Sequence, residues 1–68
     1  MKRDRFLSRI RRYARDCGLD LEVNKSRGKG SHVTVTLGTR RIIVKSGELK
    51  PGYVKLLLKQ LGIRPEDF

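Results

Sequence analysis

Apolar residues recur along the start of the chain at Phe6, Leu7, Ile10, Tyr13, Ala14 and Cys17, that is at i, i+1, i+4, i+7, i+8 and i+11. This is the stripe of an amphipathic helix. The spacing predicts a helix from Arg3 to Cys17, stopped by Gly18, with Cys17 packed on its apolar side. Leu19, Leu21 and Val23 then alternate with Asp20, Glu22 and Asn24, and Val33, Val35 and Leu37 alternate with His32, Thr34 and Thr36. A period of two marks half-buried strands, here over Leu19 to Lys25 and His32 to Leu37. Between them Ser26 to Ser31 is polar and glycine-rich, a hairpin loop. Gly38-Thr39 suits a two-residue turn with glycine first, and Arg40 to Lys45, with Ile42 and Val44 inward, completes an antiparallel meander. After the connection Ser46 to Lys50, Pro51 is well placed as the first residue of a second helix. That helix carries Val54, Leu57, Leu58 and Leu61 on one stripe, with Tyr53 beside it, and ends at Gly62. Ile63 is placed to fold back on the core, and residues 64–68 read as a short tail.

The expected fold is α+β, in the order α-β-β-β-α. A three-stranded antiparallel sheet with one apolar face offers one place to bury two amphipathic helices, so both belong on that face. Period-two alternation then puts His32, Thr34 and Thr36 on the open side. The third strand has two possible registers, because Ile42, Ile43 and Val44 are all apolar. With Ile42 inward, Lys45 joins the open face; with Ile43 inward, it leaves.

Sixty-eight residues make a single domain, 1–68, and a chain this short removes only about 60% of its unfolded surface from water. A deep enclosed pocket is not expected, so the substrate lies on the surface. The net charge of +10, from 17 Lys and Arg against 7 Asp and Glu, points to a polyanionic partner. No apolar run approaches the roughly 20 residues that cross a bilayer, and no leader core follows Met1; no membrane role and a cytosolic location are expected. The lone Cys17 has no disulfide partner, and no second histidine or cysteine exists to complete a metal site. Neither a metal nor another cofactor is expected.

The chemistry concentrates in Arg27-Gly28-Lys29-Gly30-Ser31-His32, which holds the only histidine. Histidine exchanges a proton near neutrality, glycines let a phosphate approach closely, and the flanking cations hold a polyanion. A solitary histidine at a strand start is commonly just an exposed hydrogen-bonding residue. Its open-face position, the glycine loop and the cations favour a general base instead. RNA supplies its own nucleophile, the 2′-hydroxyl, so one base can drive attack on the adjacent phosphate without a metal. On this reading His32 is the catalytic candidate, and Arg27, Lys29, Ser31 and Lys45 are the RNA-binding candidates. Lys29, Tyr53 or water could supply the leaving-group proton. Glu22 also belongs to the open face, as a solvated strand residue. On the first helix Arg5, Arg9, Arg11, Arg12 and Arg15 form a cationic face, open either to plain solvation or to contact with phosphates or an acidic protein.

At these residues the chain resembles the HicA family, the small toxin halves of HicA/HicB toxin-antitoxin pairs. The matching motifs are Gly30-Ser31-His32 at the second strand, Gly47-Glu48-Leu49-Lys50-Pro51-Gly52 before the second helix, and Leu56-Leu57-Leu58-Lys59-Gln60-Leu61-Gly62-Ile63 through its end. The resemblance covers nearly the whole chain. It implies a fold similar to double-stranded-RNA-binding domains and a ribosome-independent endoribonuclease, an mRNA interferase held inactive by an acidic HicB-like antitoxin. It also places the family's catalytic histidine on His32. Many members carry Val-Pro-x-His after the third strand, where this chain has Val44-Lys45-Ser46-Gly47, so a two-histidine scheme is not expected. The alternatives are a non-catalytic RNA-binding module, although a double-stranded-RNA-binding domain spans about 16 base pairs, and an adaptor for an acidic protein.

Overall fold

The computed structural model describes residues 1–25 and 32–68. The expected loop Ser26 to Ser31, with Arg27, Lys29 and Ser31, lies outside the described residues. The element order is α1 (Arg3–Cys17), β1 (Leu21–Lys25), β2 (His32–Leu37), β3 (Arg40–Lys45) and α2 (Pro51–Leu61), followed by a 3₁₀ turn at Pro65–Asp67. The strands form one antiparallel sheet with β2 in the centre.

Why α1 forms follows from its stripe: Phe6, Leu7, Ile10 and Ala14 are buried while Arg5, Arg9, Arg11, Arg12 and Arg15 are exposed. Its first turn has no side-chain cap. Instead Lys2 pairs with Glu48 in an isolated bridge, the Arg3 N–H donates to the Gly47 carbonyl (3.1 Å), and the Leu49 N–H donates to the Met1 carbonyl (2.7 Å). One of the donors that a helix start leaves orphaned is thereby satisfied by the chain leading into α2. Leu49 is fully buried in the process, a core position that the sequence pattern assigned only to a connection.

Both helices end alike. The Leu19 N–H donates to the Ala14 carbonyl (2.8 Å) and the Gly18 N–H to Arg15 (3.3 Å); Ile63 donates to Leu58 (2.9 Å) and Gly62 to Lys59 (3.1 Å). This double bond pattern is the Schellman closure. At α2 the accompanying apolar contact is present, with Ile63 and Leu58 both buried. At α1 the closure holds Leu19 in the cap and leaves it 43% exposed. The first strand therefore starts at Leu21 rather than at Leu19.

Gly62 sits at φ +77°, and a Cβ there would lie 3.1 Å from Arg40 Nε. Left-handed backbone costs an L-residue about 1–2 kcal/mol. Gly62→Ala is expected to lower stability by about that amount, read as a shift in the urea midpoint with an unchanged slope. Gly38, at φ +60°, occupies the first position of the β2–β3 turn between Leu37 and Arg40, as a two-residue hairpin of the glycine-first type requires.

The core lies between the inward sheet face and the two helices. Val33, Val35, Leu37, Ile42 and Val44 meet Phe6 and Ile10 from α1 and Leu57, Leu58 and Leu61 from α2. The final residues fold back onto this core, the ring of Phe68 packing 5.4 Å from that of Phe6. Cys17 corrects the sequence reading. It is exposed rather than packed, because as the last residue of α1 it borders an open cleft of about 600 Å³ shared with Arg9, Arg12, Tyr13, Asp16, Asp67 and Phe68. In that cleft burial pushes the Tyr13 phenol up from its ordinary value; the Cys17 thiol, hydrogen-bonded to it, and the Asp67 carboxylate push the same way, against Arg64.

Candidate nucleic-acid interface

The open sheet face is built by alternation. Since Val33, Val35, Ile42 and Val44 are buried, the side chains of His32, Thr34 and Thr36 on β2 and of Arg41, Ile43 and Lys45 on β3 stand on the other side. The register pairs them as His32 with Lys45, Thr34 with Ile43 and Thr36 with Arg41. From β1, Asn24 joins Thr34 and Glu22 joins Thr36. The ambiguity in β3 is thus resolved: Ile42 points inward, Ile43 is 59% exposed, and Lys45 stands on the open face directly across from His32.

How close that pair comes follows from the edge of the sheet. β3 is an outer strand, and the Tyr53 hydroxyl of α2 donates to the Ile43 carbonyl (3.3 Å). In an antiparallel ladder a residue's N–H and C=O point to the same side, so Ile43 faces its hydrogen-bonding groups away from β2. Thr34–Ile43 is then a non-hydrogen-bonded pair, and so, two residues on, is His32–Lys45. Such pairs have Cα atoms about 4.5 Å apart, the closer of the two spacings.

The charges around them are asymmetric. Glu22 lies in the row of Thr36, four residues along β2 from His32, or about 13 Å, and it accepts a hydrogen bond from Asn24 Nδ2 (2.6 Å). Glu22 thus belongs to the row at the far end of the face from the histidine, with its carboxylate hydrogen-bonded to Asn24 in the row between. Directly across from His32 stands Lys45, whose Nζ sits 5.3 Å from the centroid of the Tyr53 ring. An imidazole and an ammonium side by side on an open, shallow surface can exchange a proton and hold an anion together.

Of the residues expected from sequence, His32 and Lys45 are brought together, while Arg27, Lys29 and Ser31 lie outside the described residues. Tyr53 is near Lys45, but its hydroxyl hydrogen is directed at a backbone carbonyl. Two residues of this face had no assigned role from sequence, Arg41 and the exposed Ile43; the register that exposes Lys45 is the signal that would have found them. Arg40 serves the fold, its Nη1 reaching the Gln60 carbonyl (3.5 Å) near the end of α2. The arginines of α1 are placed differently. Arg5, Arg11, Arg12 and Arg15 are exposed on the layer that covers the opposite side of the sheet, with Arg12 paired to Asp16 at 4.0 Å. The cations are thus divided between two faces of the molecule, and only one of them carries the histidine. Among the described residues no helix is long and apolar enough to cross a membrane.

Comparison with known families matches residues 10–63 to the family described as the HicA toxin of bacterial toxin-antitoxin systems. The matched span runs from the second half of α1 to Ile63 in the α2 closure and includes the whole sheet. No match was found among curated proteins or among solved structures.

Proposed function

The chain belongs to the HicA family of toxins of toxin-antitoxin systems, and from that premise we propose that residues 1–68 act as one endoribonuclease domain cutting mRNA on the open face of the sheet. The observation that carries this reading is the placement of His32 directly across from Lys45 on that face. His32 takes the proton of a ribose 2′-hydroxyl, and the freed oxygen attacks the adjacent phosphorus. Lys45, with Arg27, Lys29 and Ser31 from the preceding loop, binds the phosphate as negative charge accumulates on its oxygens. The P–O5′ bond breaks, the leaving oxygen takes a proton from Lys29 or water, and the products are a 2′,3′-cyclic phosphate and a 5′-hydroxyl. Neither a metal nor the ribosome enters this route, and the substrate places the reaction in the cytoplasm.

A toxin of this kind has an antitoxin partner. We infer an acidic, HicB-like protein that covers the open face, since a domain of net charge +10 attracts an acidic protein over long range and in a salt-sensitive way. Coverage of His32 would block cleavage sterically.

The test is incubation of a long single-stranded RNA with the protein in excess chelator. Cleavage leaving 2′,3′-cyclic phosphate ends is the expected result. RNA that is bound but keeps its length would replace the nuclease with a binding module, and cleavage lost on chelation would overturn the metal-free route.

A further inference from the structure

We propose that Tyr53 is a positioning residue that holds the Lys45 ammonium at the edge of the open face, where it meets an RNA phosphate; this deepens the reading of His32 and Lys45 given above and rests on it. Tyr53 is the third residue of α2, whose start is set by Pro51. It is tied to β3 at two points, by its hydroxyl on the Ile43 carbonyl (3.3 Å) and by its ring beneath the Lys45 Nζ (5.3 Å). The first tie uses a carbonyl on the outer side of an edge strand, where among the described residues no further strand pairs with it. The second restrains a side chain that otherwise samples four rotatable bonds in solvent.

The geometry also says which way the lysine is held. Tyr53 lies beyond β3, so the ring draws the ammonium outward, away from the imidazole on β2. Two groups that both carry positive charge during the reaction are thereby kept farther apart than the Cα atoms of their pair, which stand about 4.5 Å from each other. A phosphate seated between them accepts a hydrogen bond of about 2.8 Å from the ammonium while its ribose hydroxyl faces His32. Since the Tyr53 hydroxyl is engaged with a backbone carbonyl, Tyr53 acts through Lys45 and does not protonate the leaving group.

A four-variant cycle tests this: wild type, Tyr53→Leu, Lys45→Met and the double variant, each checked for folding by urea denaturation. Cation–π restraint at an exposed site predicts that Tyr53→Leu lowers kcat/KM by about two- to fivefold. In the Lys45→Met background the same change is expected to do nothing further, because its effect runs through the lysine. Tyr53→Phe, which keeps the ring, is expected to stay nearer the wild type. Equal losses in both backgrounds would show a merely structural role and overturn the proposal. The second readout needs no activity: ring current is expected to move the Lys45 ε-methylene protons upfield in the wild type and in Tyr53→Phe but not in Tyr53→Leu, and unshifted wild-type signals would also overturn it. Should the wild type leave RNA intact, the nuclease reading falls, while RNA affinity across the same cycle still decides whether Tyr53 acts through Lys45.

Discussion

Replacing His32 with alanine is expected to lower the rate of RNA cleavage by about 10²- to 10⁴-fold, the usual contribution of a positioned general base, while RNA affinity falls by little. The split follows from the division of labour on the open face. On the proposed mechanism the imidazole meets the reacting hydroxyl, whereas phosphate binding is shared among Arg27, Lys29, Lys45 and the wider basic surface. Loss of an interaction made only in the transition state lowers kcat and kcat/KM together and leaves binding largely in place. Stability should also hold, because His32 is exposed at the first position of β2 and surface substitutions usually stay within about 0.5 kcal/mol. The measurement is single-turnover cleavage of a labelled RNA with binding followed in parallel. Cleavage within threefold of wild type by a folded His32→Ala protein would remove the histidine from the chemistry and leave the basic face as a binding surface. In cells the same variant should no longer arrest growth, yet it should still bind the antitoxin.

Much of this was legible in the chain because each element repeats one simple pattern. The α1 stripe from Phe6 to Ala14 and the alternation Val33, Val35, Leu37 fix which faces are buried, and opposition to that buried face is what exposes His32. What escaped were positions decided by neighbours distant in sequence. Leu49 stands alone between Glu48 and Lys50, with no periodicity to mark it, and is buried only because the chain before α2 pairs with residues 1–3. Cys17 has the right spacing for burial but falls where α1 runs past its cover. The run Ile42-Ile43-Val44 admits two registers, and the expected one, with Ile42 and Val44 inward and Lys45 on the open face, is the one formed on pairing with β2. The tie between Tyr53 and Lys45 joins a helix to a sheet edge, and nothing in local spacing announces it.

Phe6→Ala is expected to remove between a third and all of the stability of the folded chain. Phe6 is fully buried, at 0% exposure, where α1 meets the inward face of the sheet, and its ring also receives Phe68 at 5.4 Å with the planes inclined by 46°. Deleting a buried phenylalanine ring costs about 3–5 kcal/mol through lost transfer energy and the cavity left behind. A chain of 68 residues has a total stability of about 3–10 kcal/mol, so the loss takes between a third and all of it. Partial collapse would reduce the cost, but the neighbours able to fill the space are held from both sides, Ile10 by the same helix and Val35 and Val44 by the sheet. Phe68→Ala makes the natural comparison. Phe68 is only half-buried and is held by the Phe6 ring and by the Arg9 guanidinium 4.4 Å above it, and losing an aromatic pair at such a site costs about 1 kcal/mol. Circular dichroism with urea titration should therefore show Phe6→Ala with a strongly lowered midpoint and Phe68→Ala with a modestly lowered one. The contrast with His32→Ala separates chemistry from fold. To the extent that Phe6→Ala unfolds the chain, cleavage and antitoxin binding are expected to fall together, whereas His32→Ala is expected to lower cleavage alone. A Phe6→Ala protein with a wild-type urea midpoint would mean that the helix layer is not what holds His32 and Lys45 in register.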